Sequence, residues 1–112
     1  MSPAIQLNTG GPRDPAVVLL PDRGDPRAAN SEAQRLAAQG IGALVVAGSK
    51  RAPEEPAAFE RAVDQALAAV NLLRSRSDVD PSRVGIIGEG VGAHVGAVAI
   101  GRRPGLVSAA VL

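Results

Sequence analysis

The stretch VGIIGEGVGAHVG, residues 84 to 96, contains two glycine spacings that could each support chemistry. Counted through Gly88, Gly90 and Ala93, it matches G-x-G-x-x-A after an apolar run, the fingerprint in which backbone and helix N-terminus approach a dinucleotide pyrophosphate. Counted between Gly88 and Gly92, it matches the nucleophile elbow G-x-S-x-G, except that glycine stands at the serine position. The strands and helices predicted on either side of this stretch distinguish the two interpretations.

The composition limits what this chain of 112 residues could recognise. Its 12 basic and 11 acidic residues are scattered, so neither nucleic acid nor an anionic membrane is indicated as a partner. No cysteine is present, so thiolate metal sites and a cysteine nucleophile are excluded, and we expect no metal and no cofactor. Phe59 is the only aromatic residue, whereas small-molecule pockets usually draw on large side chains. The chain has neither a signal-like N-terminus nor an apolar run long enough to span a membrane, so we expect a cytoplasmic protein.

Apolar runs alternate with helical patterns from residue 16 onward, which predicts a parallel sheet built from right-handed crossovers. The predicted strands are 16–20, 41–47, 84–87 and 106–112, and the predicted helices begin near Pro26, Pro56 and Val91. Between the second helix and the third strand, the segment SDVDPSR predicts a turn. We therefore expect an α/β fold, a three-layer α/β/α domain over residues 16–112 with a four-stranded parallel sheet, after an irregular lead-in over residues 1–15.

The order of these motifs resembles the central part of an α/β-hydrolase, and most closely the dienelactone hydrolase and related esterase branch. The resemblance rests on the PDRGD loop after the first strand and on DVDPSRVGIIGEGVGAHVGAVA, and it covers about residues 15 to 112. It implies the strand order second, first, third, fourth. Any ligand would then bind at the switch point between the loops at 21–25 and 88–92. On this interpretation the chain is a truncated α/β-hydrolase core.

The resemblance also implies that the catalytic machinery is missing. Gly90 stands where the serine nucleophile belongs and has no oxygen to acylate. The catalytic acid and histidine would lie beyond the last strand. Loss of such a nucleophile costs on the order of 10⁶ in kcat, so ordinary ester hydrolysis is not expected. Glu89 and His94 remain as candidate bases, although the resemblance favours a structural carboxylate for the first and a packing or hydrogen-bonding role for the second.

The oxyanion donors of the family need no side chain and could survive. By the resemblance they are the backbone N–H of Val91 and one N–H from the loop of Asp22, Arg23 and Gly24. A helix N-terminus that includes Gly92 also favours a carboxylate or phosphate. These residues are the candidate site for a small carboxylate or carbonyl ligand.

Dinucleotide binding through G-x-G-x-x-A is the lesser alternative. Such a fingerprint is followed after about 20 residues by an acidic residue that holds the ribose, but here the sequence reads SAAVL. The last strand, Leu106 to Leu112, is an apolar sheet edge without charge, which favours a homodimer that pairs these edges. Two functions therefore remain open: a binding or assembly module without hydrolase activity, or a non-covalent enzyme on a lactone or carbonyl compound that uses the retained oxyanion donors.

Overall fold

A computed structural model describes residues 4–6, 13–22, 26–46 and 56–112, the first of these ranges by backbone alone. The elements, in chain order, are β1 (Ala4–Gln6), β2 (Asp14–Leu20), α1 (Arg27–Ala38), β3 (Gly42–Val45), α2 (Pro56–Ser75), β4 (Val79–Gly88), α3 (Val91–Arg102) and β5 (Ala109–Val111). Among the helices in these ranges, none combines the length and apolar character needed to cross a bilayer.

The strands form one sheet in the order β1-β3-β2-β4-β5. The pairs β3 with β2, β2 with β4, and β4 with β5 are all parallel. The predicted four-stranded parallel sheet and its order are therefore confirmed. In addition, β1 pairs antiparallel with β3, so the lead-in contributes a fifth strand at that edge.

Helices cover both faces of the sheet, because the central strands are apolar on both sides. Val18 and Leu20 of β2 pack in the core beneath α2 and α3, whereas Leu19 packs in a second core beneath α1. The α1 layer is thin, since its buried residues are Ala29 and Ala33. This arrangement confirms the three-layer α/β/α architecture.

The long helix α2 supplies most of the larger core on its side of the sheet. Val63, Val70 and Leu73 are fully buried, and burial of one such side chain is worth about 1.5–3 kcal/mol. Helix α3 is tied to α2 at the surface by Arg102, which donates two hydrogen bonds of 2.7 and 2.6 Å to the Glu60 carboxylate and lowers its pKa. The two helices on this face are thus held as one layer.

The predicted turn at 77–83 is confirmed at residues 77 and 78, whereas the rest of the segment lies inside a strand. Strand β4 already begins at Val79, which pairs with Asp14, and the register shifts before regular pairing resumes. Within this irregularity, Ser82 donates its backbone N–H and its hydroxyl to Asp80 Oδ1 at 3.0 and 2.7 Å. The turn chemistry is therefore present, but as a bulge that the neighbouring strand accommodates.

The last strand is shorter than the predicted 106–112. It is confined to β5, because the chain first turns through Gly105 at φ 85°. Arg74 of α2 then holds this turn by a 3.0 Å hydrogen bond to the carbonyl of Leu106. Three residues of the predicted edge, Ala109 to Val111, pair in register with β4.

Candidate functional site

The loops after β2 and β4 meet at the carboxyl edge of the sheet. Leu20 is the register partner of Gly88, and the two parallel strands both end at this pair. Two residues further along each strand, the chain reaches Asp22 and Gly90. Since α1 and α3 leave these strands toward opposite faces, this is the switch point at which α/β sheets bind ligands.

Gly90 adopts the conformation of a strained strand-to-helix turn. It is the N-cap residue of α3, with φ 55° and ψ −122°, a region that residues with a side chain occupy only under strain. A nucleophile elbow imposes this strain on its serine so that the hydroxyl stands clear of the backbone. In this chain the same turn is made by glycine, which adopts it without that strain.

The elbow is also crowded on its inner side. A Cβ atom on Gly92 would collide with the carbonyl oxygen of Leu20 on the adjacent strand. Glu89 donates its backbone N–H to the same oxygen at 3.1 Å. Gly92, the last residue of the G-x-S-x-G pattern, must therefore be small because β2 closely approaches the first turn of α3.

The Asp22 side chain fills the space above Gly90. Its Oδ1 accepts a hydrogen bond of 3.0 Å from the backbone N–H of Val91. A Cβ atom placed on Gly90 would collide with this carboxylate. The carboxylate thus occupies the position of the absent elbow side chain and engages the N–H that the family resemblance assigns to the oxyanion hole. We call Asp22, Gly90 and Val91 the elbow site.

The carboxylate also caps α3. Gly90 offers no side-chain oxygen to the first turn of the helix, and Asp22 supplies one from another loop. A carboxylate at this end of a helix is favoured by the exposed N–H groups and by the helix dipole. The contact therefore stabilises the junction between the two loops.

Glu89 lies beside the elbow site on the side of α1. It is exposed, and with Glu32 it borders a cleft of about 30 Å³ whose walls include Pro21 and Ile87. Pockets for drug-sized molecules occupy about 300–1,000 Å³. Within the described residues, this cleft is too small to enclose more than a water-sized group.

His94 lies one turn further along α3 and contacts a ring. Its imidazole meets Phe59 of α2 edge to face, with the centroids 4.9 Å apart and the ring planes at 75°. The structure thus places Glu89 on the α1 side and His94 against α2. No three His, Asp or Glu side chains of the described ranges come together as metal ligands.

Arg23 and Gly24, the other two residues of the predicted ligand loop, lie outside the described residues. Sequence reasoning included Asp22 only as a source of backbone N–H and missed the carboxylate as an occupant. The sequence did contain a signal for this contact. Asp22 and Gly90 each lie two residues beyond the ends of their strands, and these two strands pair as neighbours. The direction of the side chain could not be read from that spacing.

The strongest acidic pKa shift lies at the other end of β4. Hydrogen bonds from Ser82, followed by that from Arg83, lower the pKa of Asp80 to about 2 from 3.8. Asp80 belongs to the bulge near the start of β4, whereas the elbow follows the end of that strand. Its role is therefore to hold the bulge.

The fold of this chain is similar to that of several known hydrolases. No protein-family model matches the sequence, and no curated protein matches it. Among solved structures, an α/β-hydrolase from Penicillium sp. sh18 is similar, with a TM-score of 0.68 and 20% identity over 96% of this chain and 39% of that one. The hyperthermophilic esterase from Pyrobaculum calidifontis has a TM-score of 0.64 and 26% identity, over 87% and 34% of the two chains.

A third similar structure is the acetyl ester-xyloside bifunctional hydrolase from Caldicellulosiruptor lactoaceticus, with a TM-score of 0.68 and 21% identity over 88% of this chain and 38% of that one. The chain therefore spans less than two fifths of the length of each of these neighbours. Taken with the sheet order and the elbow conformation, these matches show that the chain has the fold of an α/β-hydrolase core.

Proposed function

We propose that this chain is a dienelactone hydrolase-like domain without ester hydrolase activity, which serves in the cytoplasm as a module that binds a small ligand or assembles with a partner. The observation that carries the proposal is the elbow site. Gly90 has no nucleophilic atom, and the Asp22 carboxylate lies where that atom would be. The chain thus keeps the strand-to-helix turn of the elbow, but nucleophilic attack, the first step of the reaction, is blocked.

The chemistry of acyl transfer makes this step decisive. A serine elbow forms a covalent bond to the carbonyl carbon, and backbone N–H groups stabilise the resulting oxyanion. Here Val91 already donates its N–H to a carboxylate. Absence of a nucleophile alone lowers kcat by on the order of 10⁶. Ester turnover at the elbow therefore lacks the attacking atom, and the Val91 oxyanion donor is already occupied.

A small carboxylate or carbonyl compound is the ligand class that the elbow site suits. The N-terminus of α3 attracts negative charge, and Val91 already binds a carboxylate oxygen. Among the described residues, the neighbouring cleft of about 30 Å³ does not extend the site into a pocket for a large molecule. These features support a ligand no larger than a short-chain acid, lactone or ketone.

Hydrolysis of p-nitrophenyl acetate and of a simple lactone tests the proposal. We expect no turnover above buffer for the wild type or for Glu89→Gln, and no acyl-enzyme burst for Gly90→Ser, because the introduced hydroxyl would have no base to activate it. Turnover by the wild type that disappears in Glu89→Gln but persists in Glu32→Gln would contradict the proposal. It would instead support a non-covalent enzyme with Glu89 as its base.

For assembly, we propose a homodimer formed by a second copy of the chain at β5. Among the described residues, this strand pairs on one side only, and Val111 and Leu112 are 66% and 51% exposed. The strand itself consists of Ala, Ala and Val, so it carries no charge that would oppose pairing. A two-fold axis would join β5 to its copy as antiparallel neighbours and bury Val111 of each copy against the other.

Light scattering tests the dimer. We expect twice the mass of the chain at high micromolar concentration for the wild type, and a monomer for Val111→Lys. The control is Leu72→Lys, which adds the same charge at an apolar residue of α2 that is 43% exposed. A monodisperse monomer for the wild type would refute the assembly, as would equal disruption by both variants.

A further inference from the structure

The contact between Asp22 and Val91 joins a loop of one strand to the helix that follows another. Asp22 is exposed and lies outside the regular strand, and its carboxylate contacts α3 through the 3.0 Å hydrogen bond from the Val91 N–H. The Asp22 side chain can therefore release this bond without unfolding the sheet, whose β2–β4 pairing ends at Leu20.

We propose that the Asp22 carboxylate is an internal blocking group for the elbow site, which an external carboxylate must displace before it can bind to Val91. This proposal rests on the proposed ligand class. It adds that the unliganded protein holds its own site closed, and that Asp22 sets the affinity.

Space and hydrogen bonding both require displacement. The volume next to Gly90 is already filled by the carboxylate, since even one additional carbon atom at Gly90 would overlap it. The Val91 N–H is a single donor and already has its acceptor. A second carboxylate at this position would also be repelled by the negative charge of Asp22.

The competition weakens binding more strongly the larger the fraction of the protein in which the internal contact is formed. When only a fraction of the protein has an open site, the apparent Kd rises by the inverse of that fraction. A contact formed nine tenths of the time therefore raises the Kd about tenfold. Removing the Asp22 side chain should therefore lower the apparent Kd by the same factor.

Sodium acetate is the probe, and the amide resonance of Val91 in a ¹⁵N-resolved NMR titration is the measured signal. The full chain is compared as wild type, Asp22→Ala and Asp22→Asn. Asp64→Ala is the control, because it removes the same charge from an exposed position on α2. Asp22→Asn keeps the shape of the side chain and an acceptor oxygen but removes the negative charge. It therefore distinguishes the effect of filling the space from the effect of charge.

We expect acetate to shift the Val91 amide at a Kd at least about tenfold lower in Asp22→Ala than in the wild type or in Asp64→Ala. Asp22→Asn should lie between them. Equal Kd values at Val91 in the wild type and Asp22→Ala would overturn the blocking role while leaving the carboxylate ligand intact. No response of Val91 in any variant would overturn both, and so the two failures are distinguishable. Equal gains in Asp22→Ala and Asp64→Ala would show a net-charge effect and would also refute the blocking role.

Discussion

Substitution of Gly90 by alanine should be strongly destabilising, although the residue is exposed. A side chain at φ 55°, ψ −122° carries backbone strain of about 1–3 kcal/mol. Its Cβ atom would also displace the Asp22 carboxylate from Val91, and loss of a helix cap costs about 0.5–2 kcal/mol. We therefore expect Gly90→Ala to lower the free energy of unfolding by about 1.5–5 kcal/mol in urea denaturation.

A double-mutant cycle isolates the contact. Asp22→Ala alone should cost only the cap, and the double variant should be no less stable than Gly90→Ala, because the cap can be lost only once. Gly101→Ala is the control on the same helix. A Cβ atom there meets nothing within 4 Å, so the variant should gain up to about 1 kcal/mol from helix propensity. Additive losses from Asp22→Ala and Gly90→Ala, within about 0.5 kcal/mol, would refute the reasoning.

Two further predictions concern the inner side of the elbow and the bulge of β4. Gly92→Ala should cost at least about 1–3 kcal/mol in urea denaturation, because its Cβ atom would collide with the Leu20 carbonyl; wild-type stability would contradict this packing. The lowered pKa of Asp80 means that its contribution to stability is full above pH 3.8 and is lost as the pH falls through about 2. Ser82→Ala should move this pKa upward in a carboxyl NMR titration, and an unchanged midpoint would show that Ser82 does not set it.

The sheet and its helices could be predicted because their signals are local. Continuous apolar runs marked the buried strands, and the periodicity of Phe59, Val63 and Leu67 marked α2. The outer glycines of the elbow also follow from its motif. Each of these features depends on residues that are close together in the sequence.

The remaining features depend on tertiary context. Pairing of β1 with β3 joins segments separated by almost 40 residues, and three residues of sequence do not specify it. The turn at Asp80 became a bulge because the neighbouring strand β2 extends the pairing to Val79. The place of the Asp22 carboxylate follows from a side-chain direction at the meeting of two loops, which neither loop encodes alone.

A crystal structure of Gly90→Ser is the most direct measurement of the central claim, that the Asp22 carboxylate has taken the place of an elbow side chain. We predict that the introduced hydroxyl occupies this place, and that the carboxylate turns away and its bond to the Val91 N–H is lost. An unmoved carboxylate, still within 3.0 Å of the Val91 nitrogen and with the hydroxyl accommodated beside it, would contradict the account.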